Sequence, residues 1–233
     1  MSERDIDKQG HRQRVHKRFN CNNGEAMADY ELLEFLLMYS IPRRDVKPIA
    51  KELLRRFGSF VDVIYASDSE LMQTKWVKSN TCDLFHLIVA TIKRVCLNKL
   101  HDNQMPLLVS VDAVIDYCRA ALAYSEVEEL HVIFLDASCR LISAELLQKG
   151  TLTGVSASPR EIVRMALDKK ATQVILVHNH PSDNLTPSDN DIYVTGRIEQ
   201  ACEVFGIKLQ DHIIIGKTGY FSFRAHKMLI AED

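Results

Sequence analysis

Two histidines two residues apart, His178 and His180, followed by Ser188 and Asp191, are the residues of this chain best suited to chemistry. They lie in HNHPSDNLTPSDND, residues 178–191, a run punctuated by Pro181 and Pro187. In an extended chain residues i and i+2 share a face, so both imidazoles can aim at one point. Zinc accepts imidazole and carboxylate ligands, and three protein ligands with an open fourth position are the catalytic pattern. Asp191 is the expected third ligand, giving a metal set of His178, His180 and Asp191. Such a site needs a base to take a proton from an activated water, and a carboxylate is the usual choice. The acidic run SEVEEL (125–130) offers Glu128 or Glu129, although glutamates before a strand also occur as a plain solvated turn. Ser188 has two readings. With an acid three residues on it forms the capping box of a helix, and its hydroxyl can also serve the attacking water or a developing oxyanion.

The elements that must position these groups are legible around them. QVILV, directly before His178, is a short β-branched apolar run that reads as a buried strand. After Pro187 a helix is expected from Ser188 to about Phe205, closed by Gly206. A residue in its first turn faces the end of the preceding strand, where the imidazoles sit. That joint occurrence, more than any single residue, favours a metal over caps and surface histidines. Upstream, SVDAVIDYCRAAL reads as a helix, LHVIFLD (130–136) and CRLISAELLQ (139–148) as a hairpin, and PREIVRMALDKK (159–170) as a helix. IKLQDHIIIG (207–216) and YFSF (220–223) finish as strands. Residues 105–233 are therefore expected to form a mixed sheet flanked by helices.

Residues 1–104 read as helical throughout. Asp29 is the expected cap of a helix stopped by Ile41-Pro42, and Asp45 of a second helix, KPIAKELLRRF, ending at Gly58. A third, from Asn80 or Thr81, is expected to pack through Leu84, Ile88, Ile92 and Val95, and HDNQMP (101–106) is the candidate linker. The fold class is thus α+β or α/β, an all-helical domain (1–104) followed by a mixed-sheet domain (105–233). The first carries 17 Lys and Arg against 14 Asp and Glu, the second 12 against 17. This mild basic lean is not the strong field of an obligate nucleic-acid binder. It leaves weak non-specific DNA contact through residues 1–104 open beside a merely solvated basic face, which is what charge runs usually are. The hairpin of DNA-contacting helical modules is rich in glycine, and TKWVKSNTC (74–82) contains none.

The 46% apolar and 26% charged composition is that of an ordinary globular chain. Its six cysteines are scattered without a CxxC pair, which argues against a zinc ribbon and for reduced thiols. The longest apolar stretch, LLEFLLMYSI, is interrupted by Glu34 and far too short to span a bilayer, and the N-terminus carries no apolar leader. A cytoplasmic protein without membrane contact is expected. A nuclease is disfavoured because HNH nucleases spread those three residues over a ββα unit. A zinc deaminase is disfavoured because the HxE and PCxxC pair is missing.

His178-x-His180-Pro181, six residues, Ser188, two residues and Asp191 resembles the JAMM (MPN+) metalloprotease motif. The fuller text HVIFLDASCRLI, SPREIVRMAL, VHNHPS, PSDND and DHIIIG resembles the bacterial RadC-type family, and ELLEFLLMYSIPRRDVKPIAKELLRRFGS is similar to its N-terminal region. The resemblance implies Zn2+ on His178, His180 and Asp191, with Ser188 assisting and Glu128 as the base. Glu129 stays a second candidate, since one residue of register turns a strand side chain to the other face. It implies cleavage of a peptide or isopeptide bond in a protein or peptide substrate. The family's DNA-repair label implies an alternative, a DNA-binding accessory protein with a vestigial metal site. Two positions depart from the family pattern: Asp183 stands where glycine is usual, and 74–82 lacks the helix–hairpin–helix glycines.

Overall fold

The structure, a computed structural model, describes residues 3–102, 111–150 and 158–229. Residues 103–106 of the expected linker lie outside the described residues. The chain separates into two compact units, Met1–Thr91 and Ile92–Asp233. It is an α+β protein, helical in its first half and built on a mixed five-stranded sheet in its second.

The first unit contains α1 (Glu3–Asn22), α2 (Asp29–Ser40), α3 (Lys47–Phe57), α4 (Phe60–Tyr65), α5 (Asp68–Leu71) and the start of α6 (Ser79–Asp102). Leu33 and Leu37, one turn apart on α2, meet Ala50 and Leu53 of α3, Val63 of α4 and Phe85 of α6 in a fully buried core. Two expected caps differ in detail. Ala28 is the N-cap of α2 and Asp29 its first helical residue, so the acid acts on the helix dipole while Glu31 bonds the Ala28 amide (3.1 Å). Asp45 accepts from the Lys47 amide (3.1 Å) one residue ahead of the N-cap, Val46. The expected stripe on α6 is also displaced. Thr81, Cys82 and Phe85 are its buried positions in this unit, Leu84 and Ile88 are partly buried, and Ile92 and Val95 are exposed. Only the first turns of α6 pack into this core, so the stripe ends where that packing ends. The turn before α6 forms without glycine, Trp76 itself adopting φ +76° beneath the Arg44 guanidinium (3.5 Å to the ring centroid).

Arg12 closes the carboxyl end of α2. Its guanidinium donates to the carbonyls of Met38 (3.1 Å), Ile41 (2.9 Å) and Arg44 (3.0 Å), groups that a helix end otherwise leaves without partners. Arg12→Ala is expected to lower stability by about 1.5–3 kcal/mol, the worth of hydrogen bonds to a charged group. Urea unfolding followed through the helical signal checks it.

The second unit contains α7 (Val111–Leu122), β1 (Glu129–Leu135), β2 (Leu141–Lys149), α8 (Pro159–Asp168), β3 (Gln173–Asn179), α9 (Asp189–Val204), β4 (Lys208–Ile215) and β5 (Tyr220–Ser222). The strand order is β2-β1-β3-β4-β5. β1 runs antiparallel to β2 and to β3, β3 and β4 are parallel with α9 as their crossover, and β5 returns antiparallel to β4. Alternation divides the strands between two cores. Ile133, Leu135, Ile175, Val177, Ile213 and Ile215 pack with α7, while Leu130, Val132, Phe134, Val174 and Leu176 pack with α8 and α9. Every residue of β3 is buried, which is why its middle, VILV (174–177), is apolar without a break. Among the described residues no helix is long and apolar enough to cross a membrane.

Candidate metal centre

The site stands at the carboxyl end of β3, on the face shared with α9. His178 pairs across the sheet with Leu130 of β1 and Ile214 of β4, and is fully buried. His180 lies just beyond the strand, its amide still donating to the Ile215 carbonyl (3.0 Å). The chain then turns through Asp183 and reaches α9, whose N-cap is Ser188. Both halves of the expected capping box are present. Ser188 Oγ accepts from the Asp191 amide (3.1 Å), and Asp191 Oδ2 accepts from the Ser188 amide (2.8 Å) and hydroxyl (2.7 Å). The cap that starts the helix therefore also orients the carboxylate.

The structure brings His178, His180 and Asp191 together, their ligand atoms all within 4.8 Å of one another. The two Nε2 atoms are 2.9 Å apart, Asp191 Oδ1 lies 3.4 Å from His178 Nε2, and Oδ2 lies 3.6 Å from His180 Nε2. His180 Nδ1 faces the Asn184 carbonyl at 2.5 Å. A carbonyl only accepts, so Nδ1 carries the proton and Nε2 offers its lone pair inward. Burial pushes the His178 pKa down to about 4, so that its ring is neutral at neutral pH. Asp191 is held well below the ordinary carboxylate range. Its burial opposes this, but the two neighbouring imidazoles and the bonds from the Ser188 amide and hydroxyl outweigh that effect. The Asp191 carboxylate facing its Nε2 in turn raises the His180 pKa, against the effect of burial. Two imidazole nitrogens and an ionised carboxylate converging on one buried point are a donor set that fits a divalent cation.

Glu128 and Glu129 are placed differently. Glu129 opens β1, and its carboxylate accepts from Lys149 Nζ (2.9 Å) and Ser125 Oγ (3.1 Å) and meets His131 Nε2 (3.2 Å). Glu128 directly precedes β1, and the alternation of the strand carried one residue back puts it on the side of Leu130, the cross-strand partner of His178. It is partly exposed, and its charge contributes to raising the His180 pKa. Buried Asn179 brackets this segment. Its Oδ1 accepts from the Glu129 amide (2.8 Å), and its Nδ2 donates to the carbonyls of Val127 (3.1 Å) and Ser125 (3.3 Å).

Three neighbours were not apparent as site residues in the sequence: Asn179, Thr195 and His212. Thr195 is one helical turn beyond Asp191 on the buried side of α9, a spacing that marks it once the helix is known. His212 lies in the strand DHIIIG, where nothing local signals that its ring meets His178 Nδ1 (2.8 Å). Asp183 adopts φ +60° and ties the metal-side loop to the β4–β5 turn, accepting from the Thr218 hydroxyl (2.8 Å) and amide (3.2 Å). Asp183→Gly is expected to be nearly neutral in stability, relief of the left-handed backbone offsetting the lost bonds. Asp183→Ala keeps the strain and loses the bonds, and should cost about 1–2 kcal/mol. Thermal unfolding of the two variants side by side checks the difference.

These residues fall within a stretch, 108–228, that matches the family model for the RadC-like JAB domain. The chain is 42% identical over 219 residues to a UPF0758 protein of Ruegeria pomeroyi, an alignment covering 94% of this chain and 97% of that protein. It is 41% identical over 215 residues to a UPF0758 protein of Rhodobacter capsulatus, covering 92% and 100% respectively.

Proposed function

Because the chain belongs to the RadC family and carries its RadC-like JAB domain, we propose that it is a zinc-dependent hydrolase cleaving an amide bond in a protein or peptide. The convergence of His178, His180 and Asp191 beside Glu128 carries this reading. His178, His180 and Asp191 would hold the ion, the neutral ring of His178 and the ionised carboxylate of Asp191 being the forms that bind it. Zinc bound there supplies a Lewis acid that polarises a carbonyl and brings the pKa of water down to about 7.

The chain's own groups do the rest. Glu128 takes the proton from the attacking water and returns it to the leaving amine. Ser188 first holds Asp191 Oδ2, and with substrate present its hydroxyl donates to the developing oxyanion. Asn179 keeps the segment of Glu128 against the end of β3. All six cysteines are unpaired, which supports a reducing compartment such as the cytoplasm.

Metal analysis of the purified chain, combined with turnover of a pooled peptide and isopeptide library, tests the proposal. One zinc per chain, with hydrolysis that a chelator stops and zinc restores, is the expected result. A chain that binds no zinc, hydrolyses no amide and holds duplex DNA with a steep salt dependence would instead support the accessory DNA-binding alternative.

A further inference from the structure

We infer that Thr195 and His212 form a hydrogen-bond relay that fixes which nitrogen of His178 carries its proton, so that His178 presents its Nε2 lone pair to the site. The inference rests on the reading above only in naming zinc as the ion received there.

The directions of the bonds follow from one fixed end. The Asp191 main-chain carbonyl has no proton to give, so the Thr195 hydroxyl donates to it (2.5 Å). With its single proton committed, Thr195 Oγ1 accepts from His212, whose Nδ1 lies 2.6 Å away. His212 is then protonated on Nδ1 and offers its Nε2 lone pair, which faces His178 Nδ1 at 2.8 Å. His178 must therefore donate from Nδ1, leaving Nε2 as the bare nitrogen turned towards His180 and Asp191. His180 is set by the Asn184 carbonyl directly, and His178 by the Asp191 carbonyl through two intermediaries.

The packing suits a fixed relay. Thr195 and His212 are both almost wholly inaccessible, and the His212 ring stacks on Phe223 with centroids 4.7 Å apart and planes at 18°. The relay joins β3, β4 and α9 and closes on Asp191, so the main chain of one ligand governs the tautomer of another. Thr195 and His212 are positioning residues. Outer partners of metal-bound histidines contribute about 10–100-fold to metal affinity.

The test uses the metal-free full chain labelled with nitrogen-15 at histidine. Two-bond proton–nitrogen NMR spectra should show His178 and His212 both protonated on Nδ1. Thr195→Val removes the acceptor without changing the volume. His212 should then move its proton to Nε2, donate to His178 Nδ1, and force the His178 proton onto Nε2. Zinc affinity, read by chelator competition, should fall about 10–100-fold in that variant, while Thr195→Ser should keep wild-type spectra and affinity. A loss of packing would not reverse two tautomers and would not be rescued by serine. His178 protonated on Nε2 in the wild-type spectrum overturns the relay, as does a Thr195→Val protein with wild-type tautomers and zinc affinity. The predicted tautomers in a wild-type chain that takes up no zinc would support the relay and refute the hydrolase.

Discussion

Replacing His180 by alanine is expected to strip the protein of zinc and of hydrolytic activity while the second unit stays folded. The choice between the two histidines is decided by where each sits. His178 is wholly buried between Asp191, His180 and His212, so removing it opens a cavity and orphans a buried ring. His180 lies past the strand end, with 12% of its side chain exposed, and its backbone bond to Ile215 does not depend on the ring. Losing one of three ligands should weaken zinc by more than the roughly 100-fold that outer partners reach. The readout need not be activity. A ligand that binds only the folded form stabilises by about 4 kcal/mol at a thousandfold excess over its Kd. Added zinc should therefore raise the unfolding temperature of the wild-type chain and leave that of His180→Ala unchanged. Zinc bound at wild-type stoichiometry and affinity by His180→Ala would sink the ligand assignment.

The candidate metal centre was legible because its residues are local in sequence. His178 and His180 share a strand face, Ser188 and Asp191 share a helix turn, and one loop joins the two elements. The residues that hold the candidate ligands in place were illegible for the opposite reason. His212 reaches His178 through the pairing of β3 with β4, 34 residues apart, and Asn179 reaches Ser125 from 54 residues away. Neither spacing has a local period to betray it. The sheet was read well where alternation or an unbroken apolar run marked the strands. The stripe on α6 departs from expectation because a helical period shows which residues share a face, not how far along the helix a partner extends. The α5–α6 turn shows a different limit. Lack of glycine does not prevent a left-handed turn residue when, as at Trp76, a stacked guanidinium accompanies it.

Glu128→Gln is expected to keep zinc at full stoichiometry and lose about 10²–10⁴-fold in kcat, the range spanned by positioned proton transfer. Glutamine has the shape of glutamate but cannot take a proton from water, so KM should change little while kcat falls. The parallel variant Glu129→Gln separates the two candidates. Burial alone would raise the Glu129 pKa, yet bonds from Lys149, His131 and Ser125 hold it below the usual value, so this carboxylate is committed to its neighbours. It also projects from the other side of β1. Its replacement should loosen the start of that strand and leave kcat within a few-fold of wild type. If Glu129→Gln abolished turnover while Glu128→Gln preserved it, the strand would have to slip by one residue to explain the result. The Leu130–His178 pairing excludes that slip, because moving β1 by one residue would turn Val132 and Phe134 out of the core that α8 and α9 complete. The register that buries those two side chains is the one that puts Glu128 on the histidine face.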